Sequence, residues 1–207
     1  RQAVERQSEE LVASTLGELD ALGLRESTVV AFLSDHGESW GERFLDKSDV
    51  KGVYHMHGAT LFDEIVRVPL VLSAPGRLEP ATVAEQVRSV DLMPTLLELA
   101  GLPARETDGE SLLHVEADRP AVIAGTDKGV LSQIAVRMPP WKLVLHVESG
   151  EEHAYHLARD PRERVSRPAD VPPELRELLF RELESAERRA LTEEEEYEGR
   201  PYEIHAA

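Results

Sequence analysis

Thr28-Val29-Val30-Ala31-Phe32-Leu33 runs without a break into Ser34-Asp35-His36-Gly37-Glu38. A short apolar run that does not alternate fits a strand buried on both faces, as the strands of a parallel sheet are. In open α/β sheets ligands bind beyond the carboxyl ends of the strands, so Asp35 and His36 would face that crevice. A carboxylate beside an imidazole offers two donors to one divalent cation. Gly37 would let the backbone turn away sharply. The same residues also fit a plainer role, with Asp35 capping a turn and His36 on the surface.

Working outward, Val4, Leu11, Val12, Leu16, Leu19 and Leu22 recur at mostly helical spacing, and Gly23 follows as the stop. Beyond the central run, residues 38–57 are a polar, poorly periodic loop, and loops this long in compact domains are usually functional. A short helix is predicted over 59–65. Val68-Pro69-Leu70-Val71-Leu72-Ser73 is a second buried strand, with Pro69 near its start and the turn Pro75-Gly76 after it. Asp91 is placed as N-cap of a helix over 92–100, with Pro94 in its first turn and Gly101 at its end. Helices alternating with buried strands read as α/β.

The pattern changes near residue 119. Val122-Ile123-Ala124, Gln133 to Val136, Trp141 to His146 and Ala154 to Leu157 are short strands, with Ser149-Gly150 as a turn, which predicts a small antiparallel sheet. Pro172-Pro173 opens a helix with Leu175, Leu178, Leu179, Leu183 and Ala186 on one stripe, and Glu193 to Glu196 form a solvated acidic run. The predicted organisation is an α/β core over 1–118, an antiparallel β subdomain over 119–165, and a C-terminal helix with acidic tail over 166–207.

Among the 207 residues, 23 basic and 40 acidic side chains give a net charge of −17. That balance argues against a nucleic-acid partner, whose phosphates need a basic footprint. It also requires that an anionic substrate be captured by local positive charge such as a metal. No run approaches the ~18–20 apolar residues of a membrane span. Cysteine is absent, which excludes disulfides, thiolate metal sites and cysteine nucleophiles. The opening Arg1-Gln2-Ala3-Val4-Glu5 has no initiator Met and no leader, so a piece of a longer chain is expected.

His57-Gly58-Ala59-Thr60-Leu61-Phe62-Asp63-Glu64, running into Arg67-Val68-Pro69-Leu70, adds a second element to Ser34-Asp35-His36-Gly37-Glu38. Further along come Ser89-Val90-Asp91-Leu92-Met93-Pro94-Thr95-Leu96-Leu97, Asp108-Gly109-Glu110-Ser111-Leu112, Arg137 with Trp141-Lys142-Leu143, and Asp160-Pro161-Arg162-Glu163-Arg164. This ordered set, from about residue 5 to about residue 185, resembles the sulfatase family of the alkaline phosphatase superfamily, specifically its carboxyl-terminal portion. The resemblance implies an α/β fold: part of an alkaline-phosphatase-like, mainly parallel sheet flanked by helices, followed by a small antiparallel sheet and a C-terminal helix.

The resemblance also implies roles. Asp35 and His36 match a downstream pair of metal ligands, and His57 a histidine facing the ester's oxyanion or leaving oxygen. His55, Lys51 and Lys47 in the same loop would contact substrate, with solvated loop residues as the plainer alternative. Arg67 is expected to pair with Asp63, Glu64 or Asp91, and Trp141 to pack in the small sheet. The expected cofactors are one divalent metal ion, Ca²⁺ first with Mn²⁺ or Zn²⁺ open, and a formylglycine nucleophile made from Cys or Ser in C/S-x-P-x-R. Ser73-Ala74-Pro75-Gly76-Arg77 fits those letters, but it follows Arg67-Val68-Pro69-Leu70, where the family has an ordinary turn. The nucleophile is therefore expected in an amino-terminal half outside these 207 residues, and the chain is expected to be inert alone.

The implied reaction is sulfuric-ester hydrolysis on a sulfated small molecule or glycan. Phosphodiester or phosphonate hydrolysis, or phosphotransfer, on the same fold stays open, as does a non-catalytic product acting as a binding or assembly module. Self-association, or pairing with the amino-terminal half, is expected from the unfinished sheet. Relatives are often exported; the sequence itself assigns no compartment.

Overall fold

The computed structural model describes residues 2–40, 60–127 and 130–198. In chain order the regular elements are α1 (Gln2–Ala21), β1 (Val30–Leu33), α2 (Asp63–Val66), β2 (Leu70–Ser73), α3 (Leu92–Leu99), β3 (Ala121–Asp127), β4 (Val130–Met138), β5 (Trp141–His146), β6 (Glu152–His156) and α4 (Pro173–Glu198). They fall into two compact units, one of residues 1–35 and 68–117, the other of residues 36–67 and 118–207.

In the first unit, α1 turns Val12, Leu16 and Leu19 to a half-buried stripe while Leu11 lies exposed. Its end is closed by bonds from the Gly23 and Leu24 N–H groups to the Asp20 and Leu19 carbonyls. The two strands expected to be parallel and buried on both faces are neither. β1 and β2 pair antiparallel, Val30 opposite Ser73 and Leu33 opposite Leu70. Phe32 and Val71, register partners, are 37% and 59% exposed. An apolar run records that a strand wants burial, but carries no information on the direction of its neighbour. After β2, the Ala74 carbonyl accepts from the Arg77 and Leu78 N–H groups, so Ser73-Ala74-Pro75-Gly76-Arg77 is a strand end and turn.

Asp91 precedes α3 as expected, but its side chain does not cap that helix. It is fully buried and accepts the Arg88 guanidinium (Nη2 at 2.8 Å), the Arg88 backbone N–H at 3.0 Å and the Glu110 N–H at 3.0 Å. Burial, the largest influence, pushes this carboxyl upward. The Arg88 and Glu110 hydrogen bonds and the Arg88 charge together outweigh it and hold the carboxyl below its ordinary value. The Thr95 hydroxyl donates to the Asp91 carbonyl at 2.6 Å and accepts from the Leu112 N–H at 2.8 Å. The stretch 108–112 is thereby docked on the start of α3, and Gly109 fits because a β-carbon there would collide with the Val90 carbonyl.

The second unit is an antiparallel meander in the order β3-β4-β5-β6. Strand alternation divides its side chains between two covered faces. Ile134, Val136, Leu143, Leu145 and Ala154 meet Val171, Leu175 and Leu179, the last two from the apolar stripe of α4. Ala135 and Val144, on the opposite face, meet Leu61, with Val66 and Ile123 beside them. Trp141 packs at the edge of the α4 cluster and sets its ring edge-on to His156, 4.8 Å between centroids. The sheet is therefore clamped between α4 and the segment that carries α2. Among the described residues no helix is long and apolar enough to cross a membrane.

Candidate functional site

The Ser34-to-Glu38 corner begins where β1 ends. Asp35, the last residue of the first unit, is exposed; His36, the first of the second, is half-buried. The His36 Nδ1 lies 2.8 Å from the Gly37 carbonyl. A carbonyl can only accept, so Nδ1 is the protonated nitrogen, and in the neutral ring Nε2 carries the lone pair. Metal-ligating histidines are fixed in this way, by a hydrogen bond from the other ring nitrogen to a carbonyl or carboxylate. The ring thus presents Nε2 as a nitrogen donor of the kind a divalent cation accepts.

Gly37 holds this corner on α2. Its N–H donates to the Ile65 carbonyl at 2.6 Å, and a β-carbon at this position would collide with the Glu64 carbonyl. Its φ is not in the left-handed region. The glycine is required by this close approach, and not by the sharp turn that the sequence suggested.

His57, His55, Lys51 and Lys47 lie outside the described residues. Among the described residues, no three His, Asp or Glu side chains gather to complete a metal shell.

The most heavily bonded polar cluster in the second unit was not foreseen. Asp63, first residue of α2, takes a two-pronged contact from Arg137 (Nε to Oδ1 at 3.0 Å, Nη2 to Oδ2 at 2.8 Å). Lys142 Nζ lies 3.0 Å from Asp63 Oδ1 and 2.8 Å from Glu163 Oε1. Glu163 Oε2 accepts the backbone N–H of Asp63 at 2.7 Å, satisfying one of the donors that a helix start leaves open. The Lys142 and Glu163 side chains are 0% exposed. For Asp63, desolvation is the strongest influence and acts upward. The Arg137 hydrogen bond, the Lys142 and Arg137 charges and the Lys142 hydrogen bond jointly reverse it, keeping the carboxyl below its ordinary value.

Glu163 sits at φ 51°, a left-handed conformation uncommon for a residue other than glycine. The turn around it is pinned by Asp160, whose carboxylate accepts the N–H groups of Arg164 at 2.7 Å and Val165 at 2.8 Å. This cluster corrects the expected partner of Arg67. Asp63 is taken by Arg137 and Lys142 and Asp91 by Arg88, which removes two of its three expected partners and leaves Glu64, while Arg67 itself is exposed. One signal was available: Lys142 is the lone charge in the apolar stretch Trp141 to Leu145, and a lysine there is almost never buried without partners.

Comparison with known proteins adds the family. Residues 6–102 match the family described as Sulfatase. The Ulvan-active sulfatase of Formosa agariphila is 33% identical over 125 residues, covering 56% of this chain and 23% of its own. The structure of a 2-O GAG sulfatase superposes with a TM-score of 0.64 at 22% identity, over 94% of this chain and 42% of that one. A phosphonate monoester hydrolase from Silicibacter pomeroyi superposes with a TM-score of 0.60 at 20% identity, over 87% and 38%. At these identities the two structures establish the α/β fold alone. The chain spans about a quarter to a third of the length of the curated relatives it matches.

Proposed function

Because residues 6–102 belong to the sulfatase family, we propose that this chain is the carboxyl-terminal part of a metal-dependent sulfuric-ester hydrolase. Asp35 and His36 would hold the metal through a carboxylate oxygen and Nε2, and the observation that carries this is the Nδ1 bond of His36 to the Gly37 carbonyl. A divalent ion, Ca²⁺ or with this imidazole equally Mn²⁺ or Zn²⁺, would polarise the ester oxygens and lower the pKa of an attacking hydroxyl. His57 would donate to the leaving oxygen or the developing anion. His55, Lys47 and Lys51 would draw the anionic ester in against the overall charge of −17. The formylglycine nucleophile and the remaining ligands belong to sequence outside these residues, which leaves the isolated chain inert. The substrate class is a sulfated small molecule or glycan, in keeping with the name of the ulvan-active relative.

The phosphonate hydrolase of like fold favours one second reading, hydrolysis at phosphorus. Aryl sulfate and aryl phosphate esters, offered in parallel to the full product of the natural reading frame, separate the two. The expected result is sulfate-ester turnover that EDTA abolishes and that His36→Ala or Asp35→Ala lowers at least a hundredfold. Turnover that persists undiminished in both variants refutes the ligand assignment, and preference for the phosphate ester refutes the sulfatase one.

A further inference from the structure

We infer that Lys142, Arg137 and Glu163 are positioning residues for the His36-Gly37 corner, acting through Asp63 and α2; this rests on the assignment of His36 as a metal ligand. The helix between them has four residues, Asp63 to Val66. One turn of helix cannot hold itself, because nucleation fixes several residues in return for a single bond. Its placement must come from what grips its two ends. At the first end, Asp63 is gripped by Arg137 and Lys142 on its carboxylate and by Glu163 on its N–H. At the other end, the Ile65 carbonyl receives Gly37, and the Glu64 carbonyl leaves room for no β-carbon there. Gly37 in turn accepts from the His36 ring. An unbroken series of short polar contacts thus runs from the sheet to the imidazole.

The chemistry of the grip is suited to placement. Leu61, just before α2, and Val66 within it already pack on the cluster of Ala135 and Val144, and apolar contact resists separation but not sliding. Charge-assisted hydrogen bonds, above all the two-pronged arginine–carboxylate contact, hold direction as well as distance. A metal ligand needs its neighbours fixed to about half an ångström. A buried ion cluster is a poor device for stability, since apolar side chains of similar volume often serve as well. It is a good device for register.

The test separates register from stability. In the double variant Lys142→Met/Glu163→Met, one buried cation and one buried anion leave together, so charge stays balanced and Arg137 keeps Asp63. Amide exchange on the full 207-residue chain, free of metal, should show Ile134 and Leu145 at wild-type rates and Gly37 at least tenfold faster. Arg137→Lys, which keeps the charge but loses the two-pronged contact, should accelerate Gly37 in the same selective way. A Mn²⁺ titration followed by broadening of the His36 ring signals should need roughly tenfold more metal in both variants. Unchanged Gly37 exchange in both variants overturns the inference. So does acceleration of Gly37 and the sheet amides together in both, which would mark a stability element. Selective acceleration of Gly37 with the same Mn²⁺ requirement in wild type and both variants upholds the positioning of the corner and overturns its bearing on the metal.

Discussion

Lys142→Met removes one charge from a cluster of four, and the geometry says which partner suffers. Asp63 retains the two contacts from Arg137, at 3.0 and 2.8 Å. The Glu163 carboxylate, 0% exposed, loses a lysine nitrogen at 2.8 Å. Breaking a buried ion pair from one side typically costs about 3–5 kcal/mol, because the remaining charge stays out of water without its counter-charge. Glu163→Met alone should cost less than Lys142→Met, since it leaves Lys142 with Asp63 as a shared partner. The double variant strands neither charge and should lie within about 1.5 kcal/mol of wild type, well short of the sum of the singles, as the loss of a buried pair as a unit requires. Urea unfolding at neutral pH, with the slope checked for constancy, measures all three. A single variant within about 1 kcal/mol of wild type, or a double variant whose loss equals the sum of the singles, refutes the reasoning.

Acid should unfold the protein through the carboxyls that its cations hold down. Native values for Asp63 and Asp91 lie below the ordinary one, so their stabilisation is complete above about pH 4 and is lost as pH falls through those native values. The urea midpoint should fall as pH drops below about 4 in wild type and fall less in Asp91→Asn, with equal slopes counting against the assignment. Gly37→Ala should lower the unfolding free energy by roughly 1–3 kcal/mol, the usual cost of forcing a methyl into filled space; a urea midpoint equal to wild type would show the contact with the Glu64 carbonyl to be slack. The exposed neighbours Phe32 and Val71 should drive self-association, so Val71→Lys should weaken it about tenfold or more by sedimentation; an unchanged distribution would place the contact elsewhere.

The strands and the long C-terminal helix were legible because burial leaves a period in the sequence. Ile134-Ala135-Val136 and Leu143-Val144-Leu145 read as strands, and both faces are indeed covered. Leu175 and Leu179 read as one face of a helix, and both are buried against the sheet. Direction was not legible, since the run that forms β1 would look the same beside a parallel or an antiparallel partner. Asp91 shows a subtler limit. Its place before α3 was right, but an acidic residue at a helix start can cap locally or reach a distant N–H, and Glu110 is 19 residues away. The ion cluster is the extreme case, with Asp63 bonded across 74 residues to Arg137 and 79 to Lys142. Each of its members was visible within a motif; that they meet was not. Of the candidate site, Asp35 and His36 are proposed from order and chemistry, whereas the need for Gly37 came from a carbonyl that only the folded chain brings near.

The ion cluster also bears on how an anion could approach. It contains two cations and two anions, so its burial withdraws no net charge and the chain outside it still carries −17. Arg137 and Lys142 are therefore spent on holding α2 and add no net charge that would attract an anion. Charges on the rest of the surface are screened beyond about 8 Å at physiological salt, which limits the repulsion as well as the help they give. Under the proposed function, attraction would arise within a few ångströms of the ester, from a metal at Asp35 and His36 and from Lys47 and Lys51. Such short-range capture tolerates little displacement, because the energy of a charge pair in a poorly solvated site changes steeply with distance. Under the proposed function this gives a physical reason for a small sheet with both faces packed to lie beneath α2: it would fix the backbone that carries the His36 ligand.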